Sequence, residues 1–121
     1  IKATIQGAQE LYPDKKITIV FQSHTYSRTH TLFNDFAREL AKGDRVIVLP
    51  IYGAREENTY NVTHTKLVEK IKEINNNAIA FDTFDETVTE LKKSTSENDI
   101  ILVMGAGDVT KVATLLTERN K

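Results

Sequence analysis

Two side chains of this sequence suit the binding of an anionic ligand, and both lie just after an apolar run. Arg28 stands where a polar loop turns into a helical pattern, so we expect its guanidinium and the first-turn N–H groups to converge on an anion. A solvated arginine in a surface ion pair is the alternative interpretation. His24 is predicted either to donate to a ligand oxygen or to titrate near neutral pH, or else to hydrogen-bond only within its loop.

Two further segments are typical of loops that approach a ligand. Gly105-Ala106-Gly107 follows the most apolar run of the chain, but a third glycine at the spacing of a dinucleotide fingerprint is missing. We interpret it as a tight turn that lets a ligand or a neighbouring domain come close to the backbone, or as a plain turn between strand and helix. Residues 52–57 form a loop longer than such a connection needs, which indicates either function or a mobile surface segment.

The elements that must position these groups follow from the apolar periodicity. Short apolar or β-branched runs predict four buried strands, at residues 17–21, 46–49, 78–81 and 100–104. Helical patterns precede the first strand and follow all four, and Asp85 and Asp108 are predicted to cap the last two helices. Strands that are apolar throughout and alternate with helices indicate one α/β domain. We predict an open doubly wound, mainly parallel sheet of at least four strands with helices on both faces.

Ligands of open parallel sheets bind beyond the carboxyl ends of the strands. This rule selects the segments 22–29, 52–57, 82–85 and 105–108. The first, second and fourth of them are rich in functional groups. We therefore expect one rim of the sheet to carry His24, Arg28, Tyr52, Arg55 and the glycine-containing turn.

Composition excludes several other classes of protein. A formal net charge of −1 gives no basic surface for nucleic acid, and no apolar run is long enough to cross a membrane. The absence of cysteine excludes a thiol nucleophile, and three histidines in dissimilar places argue against a metal site. The chain begins at Ile1 without an initiator methionine, inside a helical pattern, so we expect a fragment of a longer protein.

Three co-linear motifs give this sequence a family resemblance. The stretch FQSHTYSRT at residues 21–29 is similar to a family pattern written FQPH-x-[YF]-[ST]-R-T, and the segments at residues 51–57 and 104–108 match the same family. The chain resembles the C-terminal domain of the UDP-N-acetylmuramate–L-alanine ligases, one of the Mur ligase families. The resemblance covers residues 1–121 and implies a Rossmann-like domain of a three-domain bacterial enzyme.

The resemblance also implies an activity. In the full-length enzyme, ATP phosphorylates the lactyl carboxylate of UDP-N-acetylmuramate, and the amino group of L-alanine attacks the acyl phosphate. The enzyme of this family is cytoplasmic, and its ATP and Mg²⁺ are bound mainly by a central domain that this chain lacks. No cofactor, metal, nucleic acid or membrane is therefore expected for the fragment itself, and we predict that it is inactive alone.

Residue roles are carried over position by position. The resemblance implies that Arg28 binds a substrate carboxylate or the charge developing on the acyl phosphate, and that His24 lines the alanine pocket and orients the nucleophile. The implied substrate-binding positions are Thr25, Tyr52, Ala54, Arg55, Gly105, Ala106 and Gly107.

The chain departs from the family pattern at two positions. Ser23 replaces the usual proline and is expected to loosen the loop, and Thr25 stands where some members have a second arginine, so the anion clamp is expected to rest mainly on Arg28. Two other functions stay open. One is the related ligase that recycles a preformed peptide onto the same sugar nucleotide, and the other is a non-catalytic module that binds a small molecule.

Overall fold

Four parallel strands form a single sheet in the computed structural model, which describes residues 2–105. The strands are β1 (Lys16–Gln22), β2 (Arg45–Val48), β3 (Ala78–Ala80) and β4 (Asp99–Gly105). Their order across the sheet is β3-β2-β1-β4, and every neighbouring pair is parallel. The prediction of an open, doubly wound parallel sheet is confirmed. The predicted cap Asp108 and its helix lie outside the described residues.

Five helices connect and flank these strands within residues 2–105. They are α1 (Lys2–Leu11), α2 (Tyr26–Thr31), α3 (Phe33–Leu40), α4 (His64–Lys72) and α5 (Phe84–Ser94). The segment expected to be a polar loop before Leu32 contains the short helix α2, which begins after the cap of Thr25. None of the helices in the described part of the chain is long and apolar enough to cross a membrane.

The side chains of β1 alternate between two separate cores. Ile17, Ile19 and Phe21 pack in a cluster with apolar side chains of α1, α3 and α4, on one face of the sheet. Val20 faces the opposite cluster, which contains Val88 and Leu91 of α5. Since successive side chains of a strand point to opposite faces, β1 buries both sets of its side chains, and both faces of the sheet are covered as predicted.

The N-terminus of α5 differs from the prediction. Asp85 lies in the first turn of the helix, and the N-cap is Thr83, whose Oγ1 accepts a hydrogen bond from the backbone N–H of Glu86 at 3.1 Å. The Thr83 hydroxyl also donates to the Glu86 carboxylate at 3.1 Å. The spacing Thr-x-x-Glu is a capping-box pattern, so a local signal for the correct cap was present and was missed.

This cap gives a stability prediction. Thr83→Ala removes the acceptor for an otherwise unpaired N–H and should lower the free energy of unfolding by about 1 kcal/mol. Asp85→Ala loses only its interaction with the helix dipole, about 0.3–1 kcal/mol, and should cost less than Thr83→Ala. Urea unfolding of both variants measures the difference. A larger loss of unfolding free energy for Asp85→Ala would show that Asp85, and not Thr83, is the N-cap.

Candidate functional site

β2 and β3 are added to one side of β1, whereas β4 is added to the other side, so the strand order changes direction at the β1–β4 boundary. α3, which follows β1, packs on one face of the sheet, whereas α5, which precedes β4, packs on the other. Such a switch point leaves a crevice beyond the carboxyl ends of the two strands. A cleft of about 730 Å³ lies there. Its lining includes His24, Arg28 and Gly105, so three of the predicted site residues surround one cavity.

The guanidinium of Arg28 is exposed and lines this cleft. Within residues 2–105, no carboxylate lies within the 4.0 Å of an ion pair with it. The alternative of a surface ion pair therefore receives no support from the described part of the chain. An arginine whose five donors face solvent beside a cleft can take a carboxylate or phosphate in two parallel hydrogen bonds.

The first-turn N–H groups of α2 are not available to a ligand in the way the sequence suggested. The Ser27 N–H donates to Glu56 Oε1 at 2.8 Å, and the Arg28 N–H donates to Thr25 Oγ1 at 3.2 Å. The expectation that these groups converge on an outside anion is wrong, because the protein supplies their acceptors. Among the groups of α2 in the described part of the chain, the Arg28 guanidinium is therefore the one that can bind an anion at this point of the cleft.

Thr25 holds the loop between β1 and α2 in an uncommon conformation. Its φ of 63° and ψ of 149° fall in a region that is essentially reserved for glycine. Three hydrogen bonds hold it there: its N–H donates to Tyr52 O at 2.7 Å, its carbonyl accepts from the Thr29 hydroxyl at 2.6 Å, and its own hydroxyl caps α2. A β-branched residue in this region indicates strain that the surrounding contacts impose.

Ser23 ties this loop together instead of loosening it. Its side chain is buried, and its hydroxyl lies 2.6 Å from the hydroxyl of Thr29, which in turn donates to Thr25 O. The expectation of a looser loop is wrong, because the serine adds a hydrogen bond where the family's proline has none. The effect is a short chain of hydroxyl contacts that fixes the backbone on either side of His24.

Tyr52 lies directly beside His24. Their backbones form a parallel bridge, with Tyr52 N–H donating to Ser23 O at 2.9 Å, and their rings stack at 5.8 Å between centroids with planes 16° apart. The bridge prolongs the β1–β2 pairing beyond the regular sheet. An imidazole and a phenol are thereby presented side by side, next to the mouth of the cleft.

Ala54 and Arg55 occupy a left-handed turn further along the same loop, with φ values of 52° and 74°. Both are exposed, and neither is among the residues that line the cleft. The preceding Gly53 packs against the ring of Tyr26, so closely that a Cβ there would lie 2.7 Å from Cε2. The structure therefore brings Tyr52 to His24 but leaves Ala54 and Arg55 outside the cleft.

Gly105 ends β4 against the backbone of β1. Its φ is 130°, and a Cβ built on it would overlap the carbonyl oxygen of Gln22. Within the described residues the group that approaches this glycine is the neighbouring strand β1, and the approach of a ligand or a neighbouring domain stays a prediction. Ala106 and Gly107, the other two positions of the predicted turn, lie outside the described residues.

Asp35 and Glu39 of α3, which the sequence analysis did not single out, line the same cleft. Asp35 pairs with Arg38 at 2.5 Å, and Glu39 pairs with Lys42 at 2.7 Å. The hydrogen bond from Lys42 lowers the pKa of Glu39. The helical spacing to Leu32 and Phe36, which also line the cleft, was the signal that could have placed them there.

Glu56 is a third residue that the sequence analysis did not single out. Its carboxylate accepts two hydrogen bonds from Ser27, from the N–H at 2.8 Å and from the hydroxyl at 2.6 Å. Both bonds lower the pKa of Glu56, and the bond from the hydroxyl has the larger effect. Glu56 and Ser27 are 29 positions apart, so no local pattern marks their contact.

The two histidines outside the predicted site, His30 and His64, have partners within the protein. His30 stacks on Tyr60 with 5.1 Å between ring centroids, and His64 Nε2 lies 3.0 Å from Asp82 Oδ1. No group of three or more His, Asp or Glu side chains that could hold a metal ion occurs among residues 2–105.

A doubly wound parallel domain with a cleft at its switch point, and with a guanidinium and an imidazole beside it, belongs to the class of α/β ligand-binding domains. Residues 1–107 match the family model described as "Mur ligase, glutamate ligase domain". The chain belongs to this family, and the resemblance of its motifs is confirmed.

Curated relatives agree with this assignment. Over 93% of this chain, the sequence is 41% identical to the UDP-N-acetylmuramate–L-alanine ligase of Lachnospira eligens. Over 100% of this chain, it is 40% identical to the ligase of the same name from Caldanaerobacter subterraneus. It covers 24% and 26% of these two proteins, and so spans about a quarter of the length of the relatives it matches.

A solved structure shows the same fold. It is a domain assigned to a UDP-N-acetylmuramate:L-alanyl-gamma-D-glutamyl-meso-diaminopimelate ligase of Haemophilus ducreyi. The two superpose with a TM-score of 0.67 over 99% of this chain and 80% of the other, at 21% sequence identity. At this identity the likeness supports the fold and leaves the substrate to other evidence.

Proposed function

We propose that this chain is the C-terminal domain of an ATP-dependent ligase that joins L-alanine to UDP-N-acetylmuramate in peptidoglycan synthesis. The observation that carries the proposal is the Arg28 guanidinium, which faces the cleft beside His24 without an ion pair in the described part of the chain. Identities of about 40% to ligases of this name along nearly the whole chain support the choice of substrate.

In this proposal, the residues of the chain bind and orient while the rest of the enzyme supplies the other substrates. Arg28 holds the carboxylate of L-alanine or the charge that develops on the acyl phosphate, since its planar fork matches such oxygens. His24, held against Tyr52, keeps the amino group directed at the acyl carbon. The lactyl carboxylate of UDP-N-acetylmuramate takes the γ-phosphoryl group of ATP, which leaves as ADP. The amine of L-alanine then displaces phosphate from the acyl carbon and gives up a proton to solvent, so the amide forms without further reagents.

The described residues do not fit the nucleotide and its metal. The chain has no glycine-rich phosphate loop, and residues 2–105 hold no cluster of metal ligands. We therefore place ATP and Mg²⁺ on other parts of the full-length ligase, and we place the enzyme in the bacterial cytoplasm, where ATP is available. Residues 1–121 act as one domain of that larger protein.

The test compares the 121-residue chain with the full-length ligase that contains it. The full-length protein should release ADP only when L-alanine and UDP-N-acetylmuramate are both present, and the chain alone should release none, because catalysis by positioning needs all three sites together. Coupled ADP release and mass spectrometry of the sugar nucleotide measure both. Turnover by the chain alone, or no L-alanine product from the full-length enzyme, would refute the proposal.

The recycling ligase is tested in the same assay. Free L-alanine and an L-alanyl tripeptide compete for the acyl phosphate, and we expect alanine to be the substrate used. Preferential use of the tripeptide would assign the domain to the recycling enzyme instead.

A further inference from the structure

We propose that Glu56 is a positioning residue that joins the two halves of the amino-acid site. One half is the loop from β1 into α2, which carries His24 and Arg28. The other is the loop of residues 50–63 after β2, which carries Tyr52 and is here called the β2 loop. The inference rests on the proposed function, because it assigns Glu56 a role toward the same substrate.

One carboxylate bonds the β2 loop to α2, beside the backbone hydrogen bonds that join Tyr52 to Ser23 and Thr25. Glu56 Oε1 accepts from the Ser27 backbone N–H at 2.8 Å, and Oε2 accepts from the Ser27 hydroxyl at 2.6 Å. Ser27 immediately precedes Arg28 in the first turn of α2, so the β2 loop is bonded to the helix that presents the guanidinium. Hydrogen bonds to a charged acceptor are stronger than those between neutral groups, which suits a contact that must hold a loop in place.

The part of the β2 loop that lies on α2 has few other polar contacts with that helix. Residues 53–62 contain no helix or strand, and two of the positive φ values of the chain, at Ala54 and Arg55, lie directly before Glu56. Other contacts of the loop with α2 are apolar or aromatic: Gly53 lies on Tyr26, and Tyr60 stacks on His30. Glu56 is the side chain of the loop that supplies ionic hydrogen bonds to α2 within the described residues.

The ionisation of Glu56 supports this role. The hydrogen bond from the Ser27 hydroxyl, and after it that from the Ser27 N–H, lower the pKa of this carboxyl. Burial opposes them, and the Tyr26 N–H and the nearby His24 lower the pKa by smaller amounts. A lowered pKa means that the folded state favours the charged form. The contact is therefore complete above the ordinary pKa of a glutamate and is lost as the pH falls through the lowered value. Between pH 6 and 9, Glu56 is expected to stay ionised.

The consequence is a specific effect on amino-acid binding. Without Glu56, the β2 loop should be held less firmly on α2 and the ring of Tyr52 should lose its fixed position on His24, while the backbone bonds of Tyr52 and the cores of the domain stay intact. In the full-length ligase, Glu56→Ala should raise KM for L-alanine about tenfold. KM for ATP and for UDP-N-acetylmuramate should stay within about twofold, because those substrates bind to other domains.

Two variants serve as comparisons. Glu56→Gln keeps the shape and one acceptor, so its KM for L-alanine should fall between wild type and Glu56→Ala. Glu57→Gln is the matched control, since Glu57 is the adjacent exposed glutamate and its side chain has no hydrogen bond or ion pair within residues 2–105. All three substrates should give wild-type KM values for this control.

The outcomes separate this inference from the proposed function. If wild-type enzyme uses L-alanine but Glu56→Ala leaves its KM unchanged, or raises all three KM values alike, the inference is overturned. If wild-type enzyme makes no L-alanine product, the proposed function fails, and NMR of the 121-residue chain still tests the contact. There, Glu56→Ala should shift the Ser27 amide and remove nuclear Overhauser effects between the Tyr52 and His24 rings, and unaltered spectra would disprove the joining role.

Discussion

Arg28→Ala in the full-length ligase is expected to lower kcat/KM for L-alanine by about 2–4 kcal/mol, the range for loss of an electrostatic stabiliser. The guanidinium lines the cleft and has no ion pair within residues 2–105, so it has no structural partner there whose loss would complicate the result. The N–H groups of Ser27 and Arg28 already have acceptors, so they cannot compensate for the missing charge.

Arg28→Lys should recover only part of this loss. A lysine restores the charge, but a single ammonium cannot form the two parallel hydrogen bonds of a guanidinium on a carboxylate. Steady-state kinetics with varied L-alanine measure both variants. The control is Arg38→Ala, because Arg38 is an exposed arginine on α3 that pairs with Asp35, and its loss should change kcat/KM by less than about twofold. A kcat/KM near that of wild type for Arg28→Ala would show that Arg28 does not bind the substrate.

Gly105→Ala should lower the free energy of unfolding by about 3 kcal/mol or more, because two unfavourable effects coincide. The φ of 130° is a conformation that alanine rarely adopts, and its Cβ would overlap the carbonyl oxygen of Gln22. Gln22 and Gly105 are the last pair of the β1–β4 ladder, so relief of the overlap must separate the strands where the cleft begins.

A second glycine of the chain provides the control for this variant. Gly7 lies in α1, and a Cβ there would meet no atom within 4 Å. Gly7→Ala should therefore raise the free energy of unfolding by up to about 1 kcal/mol through helix propensity. Urea unfolding of the 121-residue chain measures both variants against wild type. A loss below about 1 kcal/mol for Gly105→Ala would show that the two strands do not require glycine at this position.

Several residues of the site could be placed from local sequence because their positions follow from the strands. His24 and Arg28 come just after an apolar run, and the carboxyl ends of parallel strands meet at one edge. Gly105 could be placed in the same way, at the end of the fourth run. The group that approaches Gly105 could not be predicted, because the Gln22 carbonyl lies 83 positions away in sequence and reaches the glycine only through strand pairing.

The errors fall on side-chain contacts between a loop and a helix that it packs on, with one exception. Ser23 was expected to loosen its loop, but it bonds Thr29 across the first turn of α2. The helix N-terminus was expected to receive a ligand anion, but Glu56 arrives from the next loop and occupies Ser27. Thr83 is the exception, because its capping box with Glu86 is a local pattern, yet Asp85 was predicted as the cap.

The sequence by itself determined the α/β class, the parallel sheet and the Mur ligase family of this protein. Apolar runs and helical periods are local properties of the chain, and burial acts on them in the same way wherever the strands finally pair. The tertiary structure alone decided which groups meet: Tyr52 beside His24, Glu56 on Ser27, and Asp35 with Glu39 in the cleft. Such contacts depend on the directions of side chains from separate elements, and only the packed sheet and helices determine those directions.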